Sequence, residues 1–171
     1  SLVRFPLSSS TALRPPLMAE VEKTFSCPVL EAYGMTETAH QMASNPLPPA
    51  DRKPGSVGRA AGPEVAIIDF NGNPVDQGGE GEICIRGPLV MAGYKDMPEQ
   101  TAEAFAGGWL HTGDVGKLDN EGFLYIVDRT KDMIVSGGFN VFPREVEDVL
   151  TTHEAVGQVV VIGVPDEQWG E

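Results

Sequence analysis

Apolar residues in this chain fall in short runs, and their spacing predicts both helix and strand near its beginning. Leu17, Val21 and Phe25 follow helical spacing after two prolines, so a helix is predicted over residues 14–25. The run 28–33 is short, apolar and opened by a proline, which is typical of a buried strand. The polar residues that follow would lie at the carboxyl end of this strand, where open α/β sheets bind ligands.

The middle of the chain alternates β-rich runs with turn signals. A long loop over residues 45–58, rich in proline and glycine, has the character of a segment that borders a site. Residues 64–70, 81–86 and 122–127 are separated by clusters of Asn, Asp and Gly, which predicts a small antiparallel sheet or barrel.

The pattern changes again after residue 132. It predicts a strand over 133–136, a turn at Gly137-Gly138, a helix from 143 to about 152 and a strand over 156–164. Strand, helix and strand in this order suggest a separate α+β unit. The last apolar run reaches almost to the final residue, so we expect the chain to be a fragment of a longer protein.

Composition narrows the classes of partner. The net charge of −13 over 171 residues argues against nucleic acid or an anionic membrane. Cys27 and Cys84 stand far apart without a CxxC pairing, which favours reduced structural thiols over a disulfide framework or a zinc site. No stretch approaches the roughly 20 apolar residues of a membrane span, and the opening residues lack a signal-peptide pattern. The cytoplasm is the expected compartment.

The richest candidate for chemistry is the run from Tyr33 to Glu37, directly after the predicted buried strand. Tyr33 offers a flat face to a purine, and Gly34 lets a ligand approach the backbone. Thr36 can donate to a phosphate oxygen, and Glu37 is a hard oxygen ligand suited to Mg²⁺. A strand end that simply turns into a loop explains the same five residues equally well.

Two downstream residues could join such a site. Asp114 follows Gly113 and could accept both hydroxyls of a ribose, although a turn aspartate that bonds its own backbone is the more common case. Arg129 at a strand end could reach ribose or phosphate, whereas a surface ion pair with Asp128 is the simpler interpretation. The Gly137-Gly138 pair could let a ligand chain pass, but a hairpin turn also explains it.

His40 stands four residues past Thr36 and three past Glu37. If the chain coils after the strand, these side chains could face one cavity and His40 could bind a second, anionic substrate. An ordinary surface or core histidine is the favoured alternative. His111 and His153 have no partners at metal or triad spacing, so nucleophilic catalysis by the protein is not indicated.

Taken in order, these segments resemble the adenylate-forming superfamily of acyl-CoA synthetases, luciferases and peptide-synthetase adenylation domains. The resemblance covers almost the whole chain and rests on four blocks in register: 33–37; 81–87 with Gly93-Tyr94; 108–114; and 128–132 with 136–140 and 143–147. It implies a mixed α/β and β fold in three parts. Residues 1–60 would end a large α/β subdomain, 61–130 would form a small distorted β-barrel subdomain, and 131–171 would begin a mobile α+β C-terminal domain.

The resemblance also implies a two-step ligase that uses ATP, Mg²⁺ and coenzyme A to activate a carboxylic acid. By the pattern of the family, Tyr33 would stack on adenine, Thr36 would touch phosphate, Glu37 would bind Mg²⁺, Asp114 would hold the ribose and Arg129 would contact the nucleotide. Lys131 would be the hinge between the two half-reactions, and Gly137-Gly138 would face the coenzyme A tunnel.

Ser10 and Thr11 occupy the place of a small-residue loop against the nucleotide, with serines where the family usually has glycines. The upstream phosphate loop of the family and its C-terminal lysine are absent from this sequence. We therefore expect the 171-residue chain to have no ligase activity by itself.

The residues around the first block look like the oxalate-CoA ligase branch, in which a histidine at the position of His40 would meet the second carboxylate of a small dicarboxylate. A medium- or long-chain fatty acyl-CoA synthetase is the competing prediction. A non-catalytic nucleotide-binding module and a peptide-synthetase adenylation domain remain further alternatives.

Overall fold

The computed structural model describes residues 4–9, 13 and 15–171. In these residues the helices are α1 (Pro15–Phe25), α2 (Pro98–Ala104) and α3 (Pro143–Leu150). The strands in chain order are β1 (Leu7–Ser8), β2 (Leu30–Tyr33), β3 (Ala43–Ser44), β4 (Arg59–Ala60), β5 (Glu64–Ile68), β6 (Gly81–Arg86), β7 (Leu110–Leu118), β8 (Leu124–Arg129), β9 (Ile134–Ser136) and β10 (Phe139–Val141). None of the described helices has the length and apolar content needed to cross a bilayer.

The first sheet contains the predicted buried strand. Its order is β1-β2-β3-β4, with β1 parallel to β2 and the other neighbours antiparallel. All four residues of β2 are buried, including the polar Glu31. Helix α1 begins at the predicted prolines and buries Met18. The helix and the strand predicted from apolar spacing are therefore confirmed.

The second sheet is an antiparallel meander in the order β5-β6-β7-β8. Its outer strands β5 and β8 do not pair, so within the described residues the predicted small antiparallel sheet is confirmed and no closed barrel forms. The three strands predicted in this region are confirmed with ends that differ by a few residues.

The longest strand of this sheet, β7, was not predicted. Its first half contains His-Thr-Gly-Asp, a polar sequence with a glycine that resembles a turn. Pairing with β6 on one side and β8 on the other overrides that local signal. Helix α2 was also missed, although it begins with Pro98 at its first position.

The last part of the chain forms the expected hairpin and helix. Strands β9 and β10 pair across the Gly137-Gly138 turn, and α3 follows. The strand predicted over residues 156–164 is wrong, because this segment has no strand partner among the described residues. Val160 and Ile162 are 69% and 72% exposed, and Val161 N donates to the Glu147 carboxylate instead of to a ladder.

One apolar core joins the two larger sheets. It contains residues from β2 and β3, from the loop before β4 and from three strands of the second sheet: Tyr33, Met42, Ala43, Val57, Ile67, Ile83, Ile85 and Leu124. A smaller cluster of Val115, Val127 and Phe142 connects β7 and β8 to the start of α3. The carboxyl end of β2 is therefore held against the second sheet.

Candidate active site

A cleft of about 870 Å³ opens where the first sheet meets the second. Its walls come from the end of β2, the middle of β7, the end of β8 and the turn that follows β8. The lining comprises Ser8, Ser9, residues 31–35, Val57, Glu82, residues 112–114, Ile126, residues 128–132 and Arg144. Four of the predicted site residues, Tyr33, Asp114, Arg129 and Lys131, thus share one cavity.

Tyr33 and Asp114 are joined directly across 81 positions of sequence. The Tyr33 hydroxyl donates to Asp114 Oδ2 at 2.5 Å. The Tyr33 ring belongs to the core, and burial followed by the charge of Asp114 raises the pKa of its hydroxyl far above the ordinary value. The hydroxyl therefore stays protonated and keeps donating to the carboxylate.

Asp114 lies within a strand rather than in the turn expected from the preceding glycine. It pairs with Arg129 in the register of β7 and β8, so the two residues are cross-strand neighbours. Arg129 Nε is 3.4 Å from Asp114 Oδ1. Antiparallel pairing thus places one cation and one anion side by side at the wall of the cleft.

The simple surface pair of Asp128 with Arg129 is not what the structure shows. Asp128 Oδ2 accepts a hydrogen bond from the backbone of Arg144, at the start of α3. Arg129 is left to pair with Asp114, and Lys131 follows in the short 3₁₀ turn 130–132. Lys131 is exposed at the cleft margin, between the second sheet and the β9–β10 hairpin.

The loop between β2 and β3 carries the other predicted residues of the first block. It is closed by bonds from the backbone N–H groups of Thr38 and His40 to the Met35 carbonyl. A Cβ placed on Gly34 would lie 1.3 Å from the His40 carbonyl oxygen, so only glycine fits there. The space left by the missing side chain of Gly34 is thus occupied by the backbone of His40 and not by a ligand.

Thr36, Glu37 and His40 are not among the residues that line the cleft. Thr36 and His40 are exposed and Glu37 is half-buried. Glu37 Oε1 accepts a hydrogen bond from the Tyr94 hydroxyl at 3.2 Å, and the Glu37 carbonyl accepts one from Met91 N at 2.7 Å. These contacts attach the loop to the segment between β6 and α2.

Ser10 and Thr11 lie outside the described residues. Their neighbours Ser8 and Ser9 do line the cleft. Gly137 and Gly138 are exposed in the β9–β10 turn and are not part of the cleft wall. A Cβ on Gly137 would meet the Trp169 ring at 2.6 Å, so this turn packs against the end of the chain.

Family models match both ends of the chain. The model described as "AMP-binding enzyme" matches residues 1–95, and the model described as "AMP-binding enzyme C-terminal domain" matches residues 145–171. The chain belongs to the AMP-binding enzyme family. Within this family, the cleft formed by Tyr33, Asp114 and Arg129 is the candidate nucleotide site.

Relatives in the AMP-binding family have several substrates in their names. A probable CoA ligase, CCL9 of Humulus lupulus, is 51% identical over 99% of this chain and 32% of its own length. The oxalate–CoA ligase of Arabidopsis thaliana is 48% identical over 99% of this chain and 33% of its own. The medium/long-chain-fatty-acid–CoA ligase FadD8 of Mycobacterium tuberculosis is 47% identical over 95% of this chain and 29% of its own.

A solved structure of the family has the same architecture. The o-succinylbenzoate CoA synthetase of Bacillus subtilis, solved with its acyl-adenylate intermediate, gives a TM-score of 0.85 at 40% identity, over 98% of this chain and 34% of that one. The same synthetase has also been solved with ATP and a magnesium ion. The chain spans about a third of the length of these relatives.

Two residues of the site were given no role by the sequence, although they lie in the motif blocks 81–87 and 108–114. Glu82 lines the cleft from β6 and contacts both Gly113 and His111 of β7. His111, which has no partner at a recognisable spacing, also lies 3.5 Å from Cys84 Sγ. Only the pairing register of β6 with β7 brings these side chains together, so periodicity could not have found them.

Proposed function

We propose that the protein is an ATP-dependent, AMP-forming acid–CoA ligase. The observation that carries the proposal is the cleft in which Tyr33, Asp114 and Arg129 converge within a chain of the AMP-binding family. An aromatic ring, a carboxylate and a guanidinium group match the base, the ribose and the phosphate of a nucleotide.

The reaction has two displacements. A carboxylate oxygen of the acid attacks the α-phosphorus of ATP, a new P–O bond forms, and pyrophosphate leaves. The sulfur of coenzyme A then attacks the acyl carbon, a C–S bond forms, AMP leaves with the bonding electron pair, and the thiol proton passes to solvent. Catalysis of such steps depends on positioning the reactants and on stabilising the charge that develops.

In this proposal the residues of the cleft bind and orient AMP or ATP. Asp114 accepts hydrogen bonds from the ribose hydroxyls, while the Tyr33 hydroxyl holds the carboxylate in place. The Tyr33 ring provides an apolar surface to adenine. Arg129, whose side chain is 61% exposed, can turn from Asp114 towards the nucleotide. Ser10 and Thr11, which follow the cleft-lining Ser8 and Ser9 in the sequence, would also bind the nucleotide.

Glu37 and Thr36 serve the phosphates of ATP. Mg²⁺ in nucleotide enzymes uses one or two carboxylates together with substrate phosphates, and the half-buried carboxylate of Glu37 suits that ligand set. When bound, the ion offsets the negative charge on the phosphates. The chain contributes the fixed loop in which Glu37 is held by Tyr94 and by Met91.

Lys131 and the glycine turn serve the second step. Lys131 lies in the short turn between the second sheet and the following hairpin, where a few backbone dihedral angles can absorb a domain rotation. After that rotation Gly137-Gly138 would face the path of the pantetheine arm. Residues 131–171 would then be the start of the moving domain.

For the substrate we propose a small dicarboxylate such as oxalate, with His40 as the partner of the second carboxylate. His40 is exposed and is held beside Gly34 by its backbone, so its ring is free of a structural role in the core. A cation or donor there would favour a charged acid over an apolar chain. A medium- or long-chain fatty acid is the alternative, which the 47% identity to FadD8 keeps open.

The ligase activity is tested with Asp114→Asn in the full-length protein. Loss of the charged acceptor for the ribose should lower kcat/KM for ATP at least about tenfold, measured as pyrophosphate release. The control is Asp69→Asn, because among the described residues the Asp69 carboxylate accepts hydrogen bonds only within its own turn, from Asn71 and Asn73. Absence of acid-dependent pyrophosphate release by the unchanged protein would contradict the ligase, whereas equal activity of the Asp114 variant and the unchanged protein would contradict the ribose role of Asp114.

The acid is tested with a panel of oxalate, malonate and octanoate, in the unchanged protein and in His40→Ala. The dicarboxylates should be preferred, and His40→Ala should reduce that preference by about tenfold, the effect of one charge-assisted contact. Faster turnover of octanoate, with no effect of His40→Ala on the ratio, would establish the fatty acyl alternative.

A further inference from the structure

Glu82 is a carboxylate at the cleft wall that is bound to β7 through both of its oxygens. Oε1 accepts a hydrogen bond from Gly113 N at 2.9 Å, and Oε2 lies 2.8 Å from His111 Nδ1. Its side chain is only 18% exposed. The two contacts bracket the strand segment that leads to Asp114.

This segment is an irregularity in the sheet. Glu82 pairs with Val115 and Cys84 pairs with His111, so residues 112–114 all lie opposite Ile83 alone. A bulge of this kind leaves backbone groups without ladder partners and redirects side chains, often beside active sites. Gly113, at φ 75°, makes the change of direction.

Side chains replace the missing ladder bonds. Glu82 accepts the N–H of Gly113, and the Thr112 hydroxyl donates to the Ile83 carbonyl at 2.7 Å. The Thr112 hydroxyl oxygen also accepts from Asp114 N at 3.2 Å. Because Gly113 N is paired through a side chain and not through the ladder, the direction of the following Asp114 depends on Glu82.

Glu82, Cys84 and His111 are also a group of potential metal-ligating side chains among the described residues, but hydrogen bonding explains their placement. Both Glu82 and Cys84 approach the same nitrogen, His111 Nδ1, whereas a nucleophilic triad needs the two different ring nitrogens. Cys84 is fully buried, and burial together with the charge of Glu82 raises the pKa of its thiol to about 12. The thiol therefore keeps its proton, and the strong contact is the one from His111 to Glu82.

We propose that Glu82 is a positioning residue that aims the Asp114 carboxylate at the ribose of the nucleotide, and that His111 anchors Glu82. This inference rests on the proposed function, in which Asp114 accepts the ribose hydroxyls. His111 Nε2 lies 3.2 Å from the Ala106 carbonyl, so the anchor is itself fixed to the segment before β7. Without Glu82 the bulge loses the acceptor for Gly113 N and Asp114 loses its direction.

The test compares two nucleotides by isothermal titration calorimetry on the full-length protein. AMP carries both ribose hydroxyls, and 2′,3′-dideoxy-AMP carries neither. The unchanged protein should bind AMP at least about tenfold more tightly than dideoxy-AMP, because only AMP can donate two ribose hydrogen bonds to the Asp114 carboxylate. In Glu82→Ala the affinity for AMP should fall about fivefold to tenfold, while the affinity for the dideoxy nucleotide stays within about twofold.

A matched control and a conservative variant separate positioning from folding. Glu80→Gln removes a carboxylate near the start of β6 whose partner is Lys117 at 2.6 Å, and it should leave both affinities unchanged. Glu82→Gln keeps an oxygen for Gly113 N but loses the charge towards His111, so its preference for AMP should be intermediate. This variant carries the test if Glu82→Ala does not fold.

The outcomes are distinct. A preference for AMP that is the same in the unchanged protein and in both Glu82 variants would overturn the inference and leave the proposed function intact. Equal binding of AMP and dideoxy-AMP by the unchanged protein would overturn the ribose role of Asp114 and the inference with it. Absence of AMP binding would contradict the proposed function itself.

Discussion

At the scale of the residue, the site depends on side chains whose freedom has been removed by their neighbours. Tyr33 has its ring in the core and its hydroxyl on Asp114, and Asp114 has Arg129 beside it. Each contact costs side-chain entropy on folding, before any ligand arrives. In the proposed function a nucleotide would meet groups that are already ordered, which would lower the entropic cost of binding.

Gly34 is a position where the neighbouring backbone leaves no space for a side chain. In Gly34→Ala the new methyl group would overlap the His40 carbonyl, so the free energy of unfolding should fall by about 2 kcal/mol or more, measured by urea denaturation. The control is Gly157→Ala, where a Cβ meets nothing within 4 Å and the change should stay within about 0.5 kcal/mol. Similar values for the two variants would show that the loop can move away.

At the scale of the element, the long loop 45–58 is held by charged and buried polar groups. Asn45 is buried and donates to the Ser56 carbonyl at 2.6 Å, and buried Glu31 accepts from Gly55 N. Lys53 reaches the turn between β7 and β8, where it binds Asp119 at 2.5 Å and Glu121 at 2.7 Å. A loop without regular structure is in this way attached to both sheets.

The ion pair of Lys53 with Asp119 predicts that the stability of the fold depends on pH. The hydrogen bond from Lys53 lowers the pKa of Asp119 to about 2 from its ordinary value of 3.8. A carboxyl group whose pKa is lower in the folded than in the unfolded state stabilises the fold at pH values above its pKa in the unfolded state. This stabilisation is lost as the pH falls through the pKa of the group in the folded state. The loss of stability in Asp119→Asn should therefore be full at pH 7 and should shrink between about pH 4 and pH 2.

Urea denaturation of the unchanged protein and of Asp119→Asn at each pH measures that difference. The matched control repeats the comparison in Lys53→Met, which keeps an apolar stem near the Phe123 ring but removes the charge. In that background the pH dependence should be smaller, with a remainder from the hydrogen bonds that Asp119 accepts from the backbone N–H groups of Glu121 and Phe123. A difference that stays constant from pH 7 to pH 2 would mean that the ion pair does not stabilise the fold.

At the scale of the whole molecule, one core makes the two sheets depend on each other. Tyr33 and Met42 from the first sheet region pack in the same cluster as Ile83 and Ile85 from the second. Loss of packing in one sheet should therefore also destabilise the other. The cleft lies on this junction, so its geometry depends on the integrity of both sheets.

Ile83→Ala tests this coupling. Ile83 is fully buried, so the cavity should cost about 2–5 kcal/mol. Hydrogen exchange should show loss of protection in β2 as well as in β6 and β7. The control is Ile162→Ala, at a position that is 72% exposed, with an expected change within about 0.5 kcal/mol. Protection lost only in the second sheet would indicate two independent units.

Local patterns in the sequence were sufficient for several elements and for the family. Apolar spacing predicted α1 and β2, turn residues predicted the β9–β10 hairpin, and the four blocks of motif residues led to the adenylate-forming family, which the match to residues 1–95 confirms. These features depend on neighbours a few positions apart, so a single stretch of sequence carries the information. The division at residues 60 and 130 stays a proposal.

Only the tertiary structure decided what pairs across the sheets. The polar first half of β7 resembles a turn until β6 and β8 pair with it, and the apolar run 156–164 resembles a strand although nothing in the described residues pairs with it. The contacts of Tyr33, Arg129 and Glu82 around Asp114 join residues far apart in the chain. Their geometry follows from strand register and from one bulge. Register is set by the total energy of packing two sheets together, and no local periodicity encodes that sum.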